Sequence, residues 1–148
     1  MRWLLDTNVV SETIQARPHQ QVALWIARQS VELTAISVVT LAELREGASI
    51  NPEERRRKQL ADWIDVDITT WFAERILPLK LEVLVDWLAV GRRLRKQGLT
   101  RNSADLLIAA TARVHNLIIV SRNVRDFAGT GVALYDPWND EVHRLEPA

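Results

Sequence analysis

Leu117-Ile118-Ile119-Val120, followed at once by the polar Ser121-Arg122-Asn123-Val124-Arg125-Asp126, decides how the chain folds. The run is apolar at every position and rich in β-branched residues, with no polar alternation. Such a run suits a strand covered on both faces, as in a parallel sheet flanked by helices. The residues before it support that setting. Residues 103–115 space their apolar side chains like a helix, and so do residues 82–96, which lead to Gly98. Toward the N-terminus, residues 3–5 form a second short apolar run that stops at Asp6. Residues 33–36 form a third, bounded by Ser37. Residues 12–14 and 22–27 read as helical on either side of Arg17-Pro18, and residues 38–48 carry Leu41, Leu44 and Ala48 at helical spacing. Asn51-Pro52-Glu53-Glu54 has the form of a helix start, with Asn capping and Pro in the first helical position. Residues 132–134 are expected to form a final edge strand before Pro137. Short apolar strands alternating with helices predict an α/β fold around a parallel sheet. In such sheets the functional groups gather beyond the carboxyl ends of the strands.

Length and composition narrow the chemistry. The 148 residues fit one domain, 1–148, with enough chain for a real core. No apolar run approaches the length of a membrane-spanning helix, and the N-terminus is too short in apolar residues for a signal peptide. The chain has no Cys, which excludes disulfides, thiolate nucleophiles and zinc–thiolate sites. A cytoplasmic location is the expectation. Nineteen basic residues balance nineteen acidic ones, which argues against coating nucleic acid by charge alone. It does not exclude a nuclease whose positive charge is a metal ion. The six Trp lie mostly among apolar neighbours and read as core or interface anchors rather than as platforms for bases.

Acidic and amide groups stand where the sheet rule directs attention. Asp6 ends the first strand. Glu43 interrupts the apolar helix segment Thr40-Leu41-Ala42-Glu43-Leu44. Asp105 opens the helix Ser103-Ala104-Asp105-Leu106, and Asn123 and Asp126 follow the decisive strand. Each has an ordinary structural reading: Asp6 as a helix cap, Glu43 as a solvated position, Asp105 as a partner of the helix dipole, Asp126 as a turn residue. Together they are harder to dismiss. Carboxylates drawn together on an apolar framework repel one another, and a hard divalent cation removes that cost. Mg²⁺ and Mn²⁺ prefer oxygen ligands, and Mg²⁺ keeps several waters, which is what phosphodiester hydrolysis needs. No competing machinery is present: there is no Gly-rich phosphate loop, no G-x-S-x-G elbow and no H-E-x-x-H, and His19, His115 and His143 are scattered. A phosphoacceptor receiver domain also has acids at strand ends, but no second acid adjoins Asp6.

Six segments in order resemble a known family. They are Leu4-Leu5-Asp6-Thr7-Asn8-Val9-Val10-Ser11-Glu12, Ser37-Val38-Val39-Thr40-Leu41-Ala42-Glu43-Leu44-Arg45-Glu46-Gly47, Arg75-Ile76-Leu77-Pro78, Ala104-Asp105-Leu106-Leu107-Ile108-Ala109-Ala110-Thr111-Ala112, Ser121-Arg122-Asn123-Val124-Arg125-Asp126-Phe127 and Asp136-Pro137-Trp138. The chain resembles PIN-domain proteins of the VapC type, and within them the FitB-like branch. The resemblance implies a three-layer α/β/α sandwich with a central parallel sheet, and a Mg²⁺- or Mn²⁺-dependent endoribonuclease that arrests translation as the toxin of a toxin–antitoxin pair. It also implies a homodimer and a VapB- or FitA-like antitoxin, through which operator DNA is reached. By motif, Asp6 and Asp105 match the most direct metal ligands, and Glu43 a third acid that holds a water or second ion. The position of a fourth acid is Asn123 here, so that Asn123 or Asp126 completes the site, or the site works with three carboxylates. Ser121 and Thr7 are placed to hydrogen-bond the first acid. The amide at 123 also motivates a second reading: a protein with weak nuclease activity that acts mainly with its antitoxin in operator binding and autoregulation. The basic runs Arg55-Arg56-Arg57-Lys58 and Arg92-Arg93-Leu94-Arg95-Lys96 read equally well as RNA guides or as solvated helix faces.

Overall fold

Strand β1 (Trp3–Leu5) occupies an inner place in a six-stranded sheet, in a computed structural model that describes residues Met1–Ala148. The other strands are β2 (Thr34–Ser37), β3 (Ile76–Leu77), β4 (Ile118–Val120), β5 (Ala133–Asp136) and β6 (Glu141–Arg144), in the spatial order β3-β2-β1-β4-β5-β6. All neighbours from β3 to β5 run parallel. β1 sets Leu4 beside Ala35 on one side and Ile119 on the other. The run 117–120 is therefore the inner, doubly covered strand that its composition requires.

Seven helices complete the fold: α1 (Thr7–Glu12), α2 (Gln20–Arg28), α3 (Val38–Ser49), α4 (Glu54–Asp62), α5 (Thr69–Phe72), α6 (Leu81–Lys96) and α7 (Ser103–Val114). The strands divide their side chains by alternation. Leu4, Ala35, Ile119 and Leu134 join Ile108, Ala109 and Ala112 of α7 in one core. Leu5, Ile36 and Val120 join Val9 and Val10 of α1 and Leu44 and Ala48 of α3 in another. Two cores on two faces of one sheet make the expected three layers. Burying each such Leu or Ile contributes on the order of 1.5–3 kcal/mol.

Local chemistry sets the helix starts that matter. Asp6, Ser37 and Asn102 each cap the helix that follows, accepting a hydrogen bond from the backbone N–H of Thr7, Val39 and Ala104. α6 gives way to Gly98, whose φ of +70° suits glycine.

The structure corrects several expectations. The first helix begins at Thr7 rather than near residue 12, because the Asp6 carboxylate caps it immediately. α4 starts at Glu54, not at Pro52: the Asn51 side chain accepts from Glu53 N–H in a turn before the helix. Past α4 the helix widens into a π-type turn at Trp63–Ile68 and runs on into α5, which puts Ile64, Ile68 and Phe72 into the second core. β5 is not the edge strand. The chain turns back through Asp140, at φ +56°, and β6 pairs antiparallel with β5, so the sheet is mostly rather than wholly parallel.

Candidate active site

At the carboxyl end of β1 the chain passes straight into α1, which leaves Asp6 buried with both carboxylate oxygens engaged. Oδ1 accepts from the Thr7 N–H at 2.8 Å. Oδ2 accepts from the Ser121 hydroxyl at 2.6 Å and from the Asn8 amide at 3.0 Å. Ser121 follows the adjacent strand β4, so the parallel pairing of β1 and β4 is what brings it to Asp6. The Ser121 oxygen also accepts from Asn8 Nδ2 (3.1 Å) and from Asn123 N–H (3.0 Å). A hydroxyl has one hydrogen and two lone pairs, so these two donors leave its proton for Asp6.

Thr7 was expected to bond the same acid through its hydroxyl. It reaches Asp6 through its backbone instead, and its hydroxyl donates to Glu43 Oε1 at 2.8 Å. One residue thus holds two acids of the cluster. Asn8 is the member that sequence reasoning missed. It bridges Asp6 and Ser121, and its Oδ1 accepts from the Arg122 N–H at 3.3 Å.

The electrostatics tie these groups to two more acids. Burial is the largest effect raising the Asp6 pKa. Hydrogen bonds from Ser121, Thr7 and Asn8 oppose it, and the charge of Asp126 adds to it. Burial also raises Glu43, against the Thr7 hydroxyl and with the charge of Asp6. Asp105, in the first turn of α7, is pushed up to about 7, first by burial and then by the charges of Asp6, Asp126 and Glu43. No hydrogen bond and no cation acts in the other direction on Asp105. The ion pairs of the chain, Arg45–Asp65, Arg113–Asp86 and His143–Glu141, leave all these acids out.

Of the two candidates after β4, Asp126 shares in this repulsion and Asn123 contributes through its backbone. Asn123 is exposed, its N–H goes to Ser121, and its carbonyl accepts from Asp126 N–H at 3.1 Å. Its side-chain amide makes no hydrogen bond within the chain.

The donor set is all oxygen, half-buried and uncompensated in charge, which fits a hard divalent cation. No three His, Cys, Asp or Glu side chains are arranged to hold an ion by themselves. Ligation would therefore rely on water as well as on Asp6, Asp105 and Glu43, as Mg²⁺ commonly does. An apolar hollow of about 310 Å³ between α2 and α5, lined by Trp25, Ile26, Trp71 and Phe72 among others, contains none of these acids. The acidic site is an open edge of the sheet.

Known proteins are similar to this chain in sequence and fold. Residues 3–132 match the family model of the PIN domain. The toxin FitB of Neisseria gonorrhoeae is 33% identical over 93% of this chain and 99% of its own length. The VapC ribonuclease Y4jK of Sinorhizobium fredii is 32% identical over 91% of this chain and 96% of its own. Among solved structures, a chain in the crystal structure of FitAcB from Neisseria gonorrhoeae superposes with a TM-score of 0.86 at 32% identity, covering 92% of this chain and 98% of that one. A chain of FitAB bound to the IR36 DNA fragment does so with a TM-score of 0.86 at 31% identity, covering 96% and 99%. With its model matched over most of the length and these relatives covered almost end to end, the chain belongs to the PIN-domain family.

Proposed function

We propose that this chain is the toxin of a toxin–antitoxin pair, an endoribonuclease that hydrolyses RNA phosphodiester bonds with Mg²⁺ or Mn²⁺ and so inhibits translation. The observation that carries this reading is the cluster of Asp6, Glu43, Asp105 and Asp126 at the carboxyl edge of the sheet, with no cation of the protein's own against it. The relatives named as a toxin and as a ribonuclease supply the reaction class.

When bound, a divalent ion would neutralise the phosphate and lower the pKa of a water. Asp6 and Asp105 would hold it directly. Ser121, Asn8 and Thr7 fix the Asp6 carboxylate so that neither oxygen swings away, and the Thr7 hydroxyl fixes Glu43 toward the same edge. Glu43 and Asp126 are then the groups left to orient an attacking water and take its proton. We assign the fourth acidic role to Asp126, whose charge acts on both Asp6 and Asp105.

The partners follow from the same relatives: a VapB- or FitA-like antitoxin, operator DNA reached through it, and a second copy of the chain as a homodimer. No helix is long and apolar enough to cross a membrane. The test is cleavage of total bacterial RNA by the purified chain in Mg²⁺, in Mn²⁺ and in EDTA, beside Asp6→Asn. Discrete fragments that need metal and vanish in the variant support the hydrolase. Cleavage that survives the substitution removes the assigned site.

A further inference from the structure

Three loops at the carboxyl edge of the sheet bring Arg122, Trp138 and His19 together next to the acids. Arg122 directly follows Ser121, whose hydroxyl holds Asp6, and its N–H is tied to Asn8. Its guanidinium carbon lies 5.1 Å from the centre of the Trp138 ring, while the Arg122 side chain remains exposed. Trp138 stands just past β5, packed against the second core on one side, with its loop pinned by Asp136, which accepts from Trp138 N–H and from the Asn139 amide. The His19 ring lies 6.3 Å from that of Trp138, tilted by 46°. Trp3 also carries an arginine, with the Arg2 guanidinium carbon 4.7 Å from its ring centre, but it stands at the amino end of β1 rather than at the carboxyl end beside the acids. Trp63 is buried, Trp3 and Trp25 stack edge to face on each other, Trp87 of α6 packs against Leu94 and Leu106, and Trp71 lies at the hollow by α5.

Arg122 makes no ion pair, although an acidic cluster begins one residue away. A guanidinium placed over an aromatic ring leaves its other face open to solvent, and such a face stacks on nucleobases. It also supplies positive charge where the carboxylates would repel a phosphate chain. We propose that Arg122, backed by Trp138, is a nucleotide subsite: the base next to the scissile phosphate of single-stranded RNA stacks on its open face. This rests on the reading of the chain as a ribonuclease and adds what it recognises beside the cut.

The test is binding, separated from cleavage. A fluorescein-labelled short single-stranded RNA of mixed sequence, and the same backbone without bases, are titrated with the chain in Ca²⁺ and followed by anisotropy. Arg122→Ala is expected to weaken RNA binding about tenfold, and Arg122→Lys to recover only a minor part of that loss, since it restores charge without a planar face. The base-free strand should lose on Arg122→Ala only the small part that Arg122→Lys recovers for RNA. Trp138→Phe should keep most of the affinity and Trp138→Leu lose it, with near-ultraviolet circular dichroism confirming the fold of both. Full recovery by Arg122→Lys, a loss of base-free strand binding on Arg122→Ala as large as the loss of RNA binding, or no RNA binding by the wild type would overturn the subsite. Cleavage in Mg²⁺ judges the other reading separately: an inert wild type that still loses affinity on Arg122→Ala sinks the hydrolase and leaves the subsite standing.

Discussion

Asp86 and Asp105 sit on neighbouring helices, α6 and α7, and are both partly buried, yet the protein treats them in opposite ways. Asp86 receives the Arg113 guanidinium, whose Nε lies 3.0 and 3.3 Å from its two oxygens, while Arg113 also donates to the Thr130 carbonyl. Asp105 receives nothing and faces three other acids. A carboxylate that serves the fold is given its counter-charge from within the chain. One left without it, among others left without it, keeps its repulsion unrelieved, and on the proposed function a bound cation would relieve it. The contrast separates structural from functional acids better than burial does.

The sharpest way to break that contrast is to neutralise Asp105. Asp105→Asn should lower RNA cleavage by at least about a thousandfold, measured under single-turnover conditions. The same change should raise the melting temperature of the metal-free protein by about 2–4 °C at neutral pH, read by calorimetry in EDTA. The sign follows from the raised pKa. Between the ordinary Asp value of 3.8 and about 7 the folded state holds a proton that the unfolded state has lost, so wild-type stability falls as pH rises through that window. The advantage of Asp105→Asn should therefore grow from low pH and level off above 7. A variant that is both inactive and less stable in EDTA would mean that Asp105 serves the fold.

Protons and metal compete for the same cluster. Below pH 7 the apparent Mn²⁺ affinity should drop by up to about tenfold per pH unit, as isothermal titration at two pH values would show. A flat profile would count against Asp105 as a ligand. On the structural side of the comparison, Asp86→Asn should cost about 1–2 kcal/mol by leaving Arg113 poorly paired, visible in urea unfolding, with cleavage per folded molecule unchanged. The smallest effect separates the two residues after β4. Asp126→Asn should weaken cleavage severalfold more than Asn123→Ala does, and equal losses would move the fourth role back to position 123.

What the sequence told in advance depends on how locally each feature is determined. The strands 3–5 and 117–120 and the helices 38–48, 82–96 and 103–115 were legible because burial on both faces or along one stripe leaves a continuous or periodic apolar record. β6 left none: Glu141-Val142-His143-Arg144 is largely exposed, and Val142 is 69% exposed, so neither face needed apolar residues. β3 is two residues long, too short for any pattern. In the site, Asp6, Glu43 and Asp105 could be named because each is an acid in an apolar context. The hydrogen bonds that orient them could not. Asn8 acts through Ser121, 113 positions away, and Thr7 sends its hydroxyl to Glu43 across 36 positions rather than to its neighbour. Such pairings are decided by sheet order, which local sequence does not record.

The bond between Asp6 and the Ser121 hydroxyl joins residues 115 positions apart. During synthesis the chain emerges from its N-terminus, so Asp6 leaves the ribosome early and waits for almost all the rest. β2 can pair with β1 as soon as it appears, but β4, which fills the other side of β1 and carries Ser121, comes near the end. Until then Asp6 lacks the hydroxyl that orients it, and Asp126 has not been made. A pairing of such long range is slow to form and cannot precede its later partner. For an enzyme that cuts RNA, this order of assembly means that the nascent chain lacks its oriented Asp6 until the residues of β4 and Ser121 have been made.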